Sequence, residues 1–212
     1  TSRVREARKL NVELLLANHP KDCFTCEKSQ ICDLRELASE LGVREVEFPR
    51  TRTELLPLDN TSLSLVRDPN KCVLCRRCVN VCAKVQSVYA IDIMGRGSNS
   101  TVSTFLDEGL GNVECVNCGQ CLLVCPTGAI TERSEIPDVW KALGDPDKIV
   151  VVETAPAVRV AIGEEFGMPD GTQATGKMAA ALRSLGFDKV FDTDFSADLT
   201  IMEEGFELIG RI

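Results

Sequence analysis

The 212 residues are 44% apolar and 26% charged with a net charge of −8, a balance that fits one or two compact domains and excludes intrinsic disorder. Eleven cysteines are too sparse for a small disulfide-stapled secreted domain, and their odd number would strand a thiol in any all-disulfide scheme, so metal ligation is the better account. No basic leader precedes an apolar run and none approaches the ~20 residues of a membrane span, which points to a soluble protein of a reducing, cytoplasmic compartment; net acidity disfavours nucleic acid as a partner.

The charge is uneven. Residues 1–125 hold all eleven cysteines and balance 16 Lys+Arg against 16 Asp+Glu, whereas residues 126–212 hold no cysteine and balance 8 against 16. Two regions of different purpose are expected. The chain begins at Thr1 without Met and ends in a periodic segment at Ile212, so both ends are expected to be cuts within something longer.

In chain order, Val4, Ala7, Leu10, Leu14 and Ala17 recur every three or four residues and predict a helix over Val4–Ala17, stopped by Pro20. A second helix is predicted over Leu34–Leu41, with Gly42 in the left-handed position that closes it. Residues 43–70, with Pro49, Pro57 and Pro69, read as short edge strands and loops. A strand from Val88 to Ile93, a turn at Gly95–Asn99 and a returning strand from Thr101 to Phe105 predict a hairpin. Beyond Pro137, strands at Lys148–Glu153 and Lys189–Phe191 alternate with helices at Ala157–Phe166 and Lys177–Leu185, the pattern of a partly parallel sheet covered by helices. Ser196 is placed to cap a last helix running through Leu208.

The chemistry lies in the cysteine spacing. Cys72-x2-Cys75-x2-Cys78-x3-Cys82 and Cys115-x2-Cys118-x2-Cys121-x3-Cys125-Pro126 are two complete four-cysteine runs. Such a run wraps three thiolates around one 4Fe-4S cube and sends its fourth to a neighbouring cube. Cys72, Cys75 and Cys78 are therefore paired with Cys125, and Cys115, Cys118 and Cys121 with Cys82. Zinc also uses x2 pairs, but two complete x2-x2-x3 runs favour cubes. Ala83 stands where proline commonly follows the fourth cysteine, which loosens one turn without removing a ligand. The other three cysteines follow the chain's one histidine as His19-x3-Cys23-x2-Cys26-x5-Cys32. On spacing alone this is either a Cys3His zinc site or a mixed-ligand cube, and a neutral imidazole among thiolates would make such a cube easier to reduce.

The His19 to Cys32 segment resembles the histidine-ligated 4Fe-4S site common to iron-iron (FeFe) hydrogenases, the large iron-sulfur subunit of respiratory complex I and some formate dehydrogenases. The stretches Val152–Gly167, Gly176–Phe195 and Ala197–Glu204 resemble the opening of the hydrogen-activating domain of FeFe hydrogenases, and this separates the three. The resemblance implies three 4Fe-4S clusters relaying electrons between a redox partner, ferredoxin or a flavin- or NAD(P)-linked iron-sulfur subunit, and a buried six-iron cofactor held by the remainder of the catalytic domain. It also implies a proton path through Glu204, Glu207 and Arg211, which share one helical face at i, i+3 and i+7, and places Ala155-Pro156 near the cofactor. Periodicity alone would make those three a solvated face with an ordinary ion pair.

The expected fold class is α+β: a histidine-ligated iron-sulfur module over 1–60, a two-cluster ferredoxin-like domain with a hairpin insertion over 61–136, and the beginning of an α/β domain over 137–212. All eleven cysteines are assigned to cubes, so the chain alone is expected to be inactive. The alternative is a noncatalytic electron-transfer module of a complex-I-like or formate-dehydrogenase-like assembly.

Overall fold

A computed structural model gives the structure of residues 1–52 and 54–212. Its first helix, α1, runs Ser2–Asn18 and stops at His19, whose extended backbone (φ −80°, ψ 141°) is what the following Pro20 demands. The face it buries differs from the expected one. Val12 is buried and Leu16 packs beside it, whereas Val4, Leu10 and Leu14 are exposed. Apolar residues lie nearly all round the last turns, so the docking of α2 (Asp33–Leu41) selects the face. Helix α2 closes on Gly42 at φ 69°, whose N–H reaches the carbonyls of Ala38 and Ser39. Leu34 and Leu41 meet Val12 in a small core edged by Leu37, Val43 and Val73.

Within the expected loops of 43–70, Thr53 lies outside the described residues, and β1 (Leu65–Arg67) forms near the end. It pairs antiparallel with β4 (Ile130–Glu132), Leu65 opposite Glu132 and Arg67 opposite Ile130. Strand β4 was not expected: three ladder residues give too short an alternation to read. Between them come α3 (Arg77–Asn80), continued by a π-helical turn at Val81–Val85, and α4 (Gln120–Leu123). The hairpin of β2 (Asp92–Met94) and β3 (Thr101–Ser103) pairs Asp92 with Ser103 and Met94 with Thr101. Its first strand starts later than Val88. The Val88 N–H is spent on the Cys82 carbonyl at 3.0 Å, and Tyr89 sits at φ 59°, outside the extended region a ladder needs.

Leu65, Cys78, Ile91, Val102, Leu110 and Ile130 form the main core, with further cysteines packed against it. Beside it Arg67, 4% exposed, reaches Asp59 Oδ2 at 3.4 Å, the Val102 carbonyl, and Ser103 Oγ at 3.3 Å. One buried cation thus joins β1 to β3 and to the loop before β1.

Thr1–Ser134 and Glu135–Ile212 are separate compact units. The second opens with α5 (Ile136–Leu143), a helix absent from the expectations although Pro137 in its first turn is a start signal. Then β5 (Val151–Thr154), α6 (Val158–Glu165), α7 (Thr175–Leu185) and β6 (Lys189–Asp192) make a parallel pair with helical crossover, Val151 opposite Lys189 and Thr154 opposite Asp192. Helix α8 (Thr193–Arg211) starts three residues before the expected cap. Asp192 Oδ1 accepts the Phe195 N–H at 3.0 Å and takes the cap, leaving Ser196 inside the helix, where its hydroxyl donates to the carbonyls of Asp192 and Thr193. The whole is a mixed α/β fold of small antiparallel and parallel sheets.

Candidate metal centres

The two cysteine runs repeat one backbone conformation. Leu74 (φ 55°) and Arg76 (φ 63°) in the first run correspond to Asn117 (φ 53°) and Gly119 (φ 73°) in the second. Three of these four carry side chains in the left-handed region, which costs on the order of 1–3 kcal/mol each and persists where the surroundings demand it. The conformation turns backbone N–H groups to one side, as anion-binding nests do; the Leu74 N–H lies 3.4 Å from Cys72 Sγ.

Cys72, Cys75, Cys78 and Cys125 line one apolar cavity together with Arg67, Pro69, Val102 and Ile130. Cys82, Cys115, Cys118 and Cys121 line a second, with Leu65, Ile91 and Leu110. The fourth cysteine of each run thus sits with the first three of the other. Short α3 and α4 carry this out: each begins within its run and delivers the last cysteine across the core.

Burial pushes the Cys78 thiol up to about 12, with Cys72 and Cys125 adding to the rise, and pushes Cys121 up to about 11, with Cys115 and Cys118 adding. Burial also raises Cys72, and Cys125 and Cys75 raise it further. Four thiolates crowded into an apolar cavity need a polycation, whose binding releases the thiol protons. Among the described residues no three His, Cys, Asp or Glu side chains are grouped to hold a single metal ion. A lone zinc would need its thiolates about 2.3 Å from one point. Two sets of four thiols, each around one apolar cavity, are the donor set that a 4Fe-4S cluster takes.

His19 ends α1 with Nδ1 3.0 Å from the Pro20 carbonyl, while Nε2 is buried with no hydrogen-bond partner among the described residues. A proton on Nδ1 leaves the Nε2 lone pair free, the tautomer of a metal-ligating histidine. His19 and Cys23 line an open cavity with Leu16, Arg44 and Val46. Cys32 stands at the N-terminus of α2 against the Val12 core, and Cys26 Sγ lies beside Gly128.

Lys71 and Asp22 carry no signal in the cysteine pattern, although each immediately precedes a cysteine. Lys71 Nζ donates to Asp22 Oδ2 at 3.0 Å and lies 3.9 Å from Asp68 Oδ2. Burial alone would lower the Lys71 pKa; the hydrogen bond to Asp22 and the charges of Cys26, Asp22 and Asp68 outweigh it and hold the ammonium above its ordinary value.

In the second unit Glu204, Glu207 and Arg211 lie exposed on α8, with Arg211 paired to Glu207. Ala155 and Pro156 are exposed in the turn from β5 to α6. Along α8, Ile201, Phe206 and Ile209 are exposed as well. No helix among the described residues is long and apolar enough to cross a membrane.

Residues 8–47 match the family described as the NADH-ubiquinone oxidoreductase-G iron-sulfur binding region, residues 71–129 a 4Fe-4S dicluster domain, and residues 148–212 the C-terminal domain of the iron only hydrogenase large subunit. The chain is 50% identical over 210 residues to the NADP-reducing hydrogenase subunit HndD of Solidesulfovibrio fructosivorans, covering 99% of this chain and 36% of that one. It is 39% identical over 211 residues to iron hydrogenase 1 of Clostridium pasteurianum, again covering 99% and 36%. The periplasmic [Fe] hydrogenase large subunit of Nitratidesulfovibrio vulgaris is 41% identical over 135 residues, 49% of this chain and 32% of that one. Among solved structures, an NAD+-reducing [NiFe]-hydrogenase in the H2-reduced state matches 63% of this chain and 57% of its own at 27% identity and a TM-score of 0.59. The chain therefore spans about a third of the length of the curated relatives it matches. From the order of these three regions, the chain belongs to the iron-only hydrogenase family, as part of its iron-sulfur electron-transfer region with the opening of the C-terminal domain of the large subunit.

Proposed function

We propose that the chain is a three-centre electron relay of an FeFe hydrogenase that interconverts hydrogen with protons and electrons. Residues 1–60 form the histidine-ligated module, residues 61–136 the two-cluster ferredoxin-like domain, and residues 137–212 the start of the catalytic domain. Cys72, Cys75, Cys78 and Cys125 would hold one 4Fe-4S cluster, Cys82, Cys115, Cys118 and Cys121 a second, and His19, Cys23, Cys26 and Cys32 a third. When bound, each cluster supplies exchange of one electron. The protein positions the thiolates, turns amide N–H groups toward the sulfurs and keeps water from the two apolar cavities.

The observation that carries this reading is the exchange of Cys125 and Cys82 between the two cavities. It makes a direct prediction. In Cys125→Ser, paramagnetic resonance of the reduced protein should lose or alter the signal of the cluster held by Cys72, Cys75 and Cys78. Loss of the signal belonging to Cys115, Cys118 and Cys121 would refute the crossed assignment.

All eleven cysteines are used in this scheme, so ligands for the six-iron cofactor come from the remainder of the catalytic domain and the chain alone should not turn over hydrogen. Glu204, Glu207 and Arg211 serve the proton path of the full-length enzyme, with Ala155-Pro156 near its cofactor; their helical spacing and the match over residues 148–212 support this role. The electron partner is ferredoxin or a flavin- or NAD(P)-linked iron-sulfur subunit, and the name of the NADP-reducing relative favours the NAD(P)-linked one. Read as cluster ligands with none left for a disulfide, the eleven cysteines suit a reducing compartment, whereas one relative is named periplasmic. A complex-I-like noncatalytic module would account for the match over residues 8–47 but not for that over 148–212.

A further inference from the structure

Three close contacts join the His19 centre to the Cys72 centre within the first unit. The N–H of Asp33, one residue past Cys32, donates to the carbonyl of Pro126, one residue past Cys125, at 3.0 Å. A Cβ added to Gly128 would stand 2.8 Å from Cys26 Sγ and 3.5 Å from Lys71 Cδ, so the absence of a side chain lets these groups crowd one point. Lys71, one residue before Cys72, pairs at 3.0 Å with Asp22, one residue before Cys23. The first two contacts are neutral. The third puts a full positive charge beside the ligand loop of the His19 centre.

That charge is well placed to act. The Lys71 side chain is 16% exposed, so water and salt screen it less than a surface lysine. It faces two carboxylates, Asp22 and Asp68, and the second oxygen of Asp22 is buried without a partner among the described residues. Adding an electron to an iron-sulfur centre makes it more negative; a nearby cation favours the reduced form and nearby carboxylates oppose it. Without Lys71 the Asp22 carboxylate, one residue before Cys23, and the Asp68 carboxylate on the other side of the ammonium would both lose their compensating charge.

We propose that Lys71 is a positioning residue that holds the reduction potential of the His19, Cys23, Cys26, Cys32 centre up, by compensating Asp22 and Asp68 at the contact with the neighbouring centre. This rests on the reading that the three centres hold 4Fe-4S clusters. It differs from a merely structural clamp in one respect: the two members of the ion pair must shift the potential in opposite directions.

The test uses anaerobic holoprotein labelled with 15N-histidine. His19 is the one histidine in the chain, so its hyperfine coupling identifies which paramagnetic signal belongs to this centre during a dithionite titration with mediators. Lys71→Met should move that midpoint to more negative potential, Asp22→Asn to more positive potential, and the double variant back toward the starting value. Lys71→Arg should restore the unmodified midpoint. The centre of Cys82, Cys115, Cys118 and Cys121 should move least. If Lys71→Met fails to assemble, Lys71→Gln, which removes the same charge while keeping a polar end, is read in its place and must also shift the midpoint to more negative potential. Unchanged midpoints, or shifts of the same direction in Lys71→Met and Asp22→Asn, overturn the role of Lys71 while three clusters by iron and sulfide analysis leave the relay reading standing. Fewer than three clusters in the unmodified protein overturn that reading and this inference together.

Discussion

At His19 one ring nitrogen lies 3.0 Å from the Pro20 carbonyl and the other is buried with no hydrogen-bond partner among the described residues, which suits the proposed ligand role. A buried acceptor left unpaired costs about 1–3 kcal/mol, a cost that a metal ligand would remove. Its replacement by cysteine should keep a cluster but add a negative ligand, so the midpoint of that centre should fall; an unchanged midpoint by potentiometric titration would take His19 out of the ligand set. At Asp59 burial works to raise the pKa, and hydrogen bonds from Thr61 and Leu110 together with the Arg67 charge outweigh it, leaving the carboxyl below its usual 3.8. Because the folded value is the lower one, its contribution to stability is present above pH 3.8 and lost as the pH falls through the folded value. Thermal unfolding followed as the pH falls below 3.8 should therefore show a steeper loss in the unmodified protein than in Asp59→Asn. Parallel loss in both would mean that the hydrogen bonds to Asp59 do not favour its charged form.

At the scale of elements, the legible features were those with long periodicity or strong punctuation. Helix α2 and its Gly42 closure, and the alternation of β5, α6, α7 and β6, stand within a few residues of where apolar spacing puts them. What escaped was decided by contacts between distant residues. The buried face of α1 follows from where α2 docks; β4 exists because β1 pairs with it; β2 begins late because Val88 bonds back to Cys82. Of two cap candidates for α8, Asp192 and Ser196, the carboxylate that ends β6 takes the cap by accepting the Phe195 N–H.

At the scale of the molecule, the cysteine pattern carried most of the candidate site, since ligand type and spacing are local properties. Charges around the ligands were not legible in the same way. Arg67 lies in an apolar strand and Lys71 and Asp22 look like ordinary surface residues until the fold brings them against the cysteine loops. Burial raises the Cys78 and Cys121 thiols, so a metal group bound by them would be taken up with release of protons. The most direct measurement is iron and acid-labile sulfide per chain in anaerobically prepared protein. Three cubes require about 12 iron and about 12 sulfide; stoichiometric zinc with no sulfide in a fully folded preparation would contradict the electron relay outright.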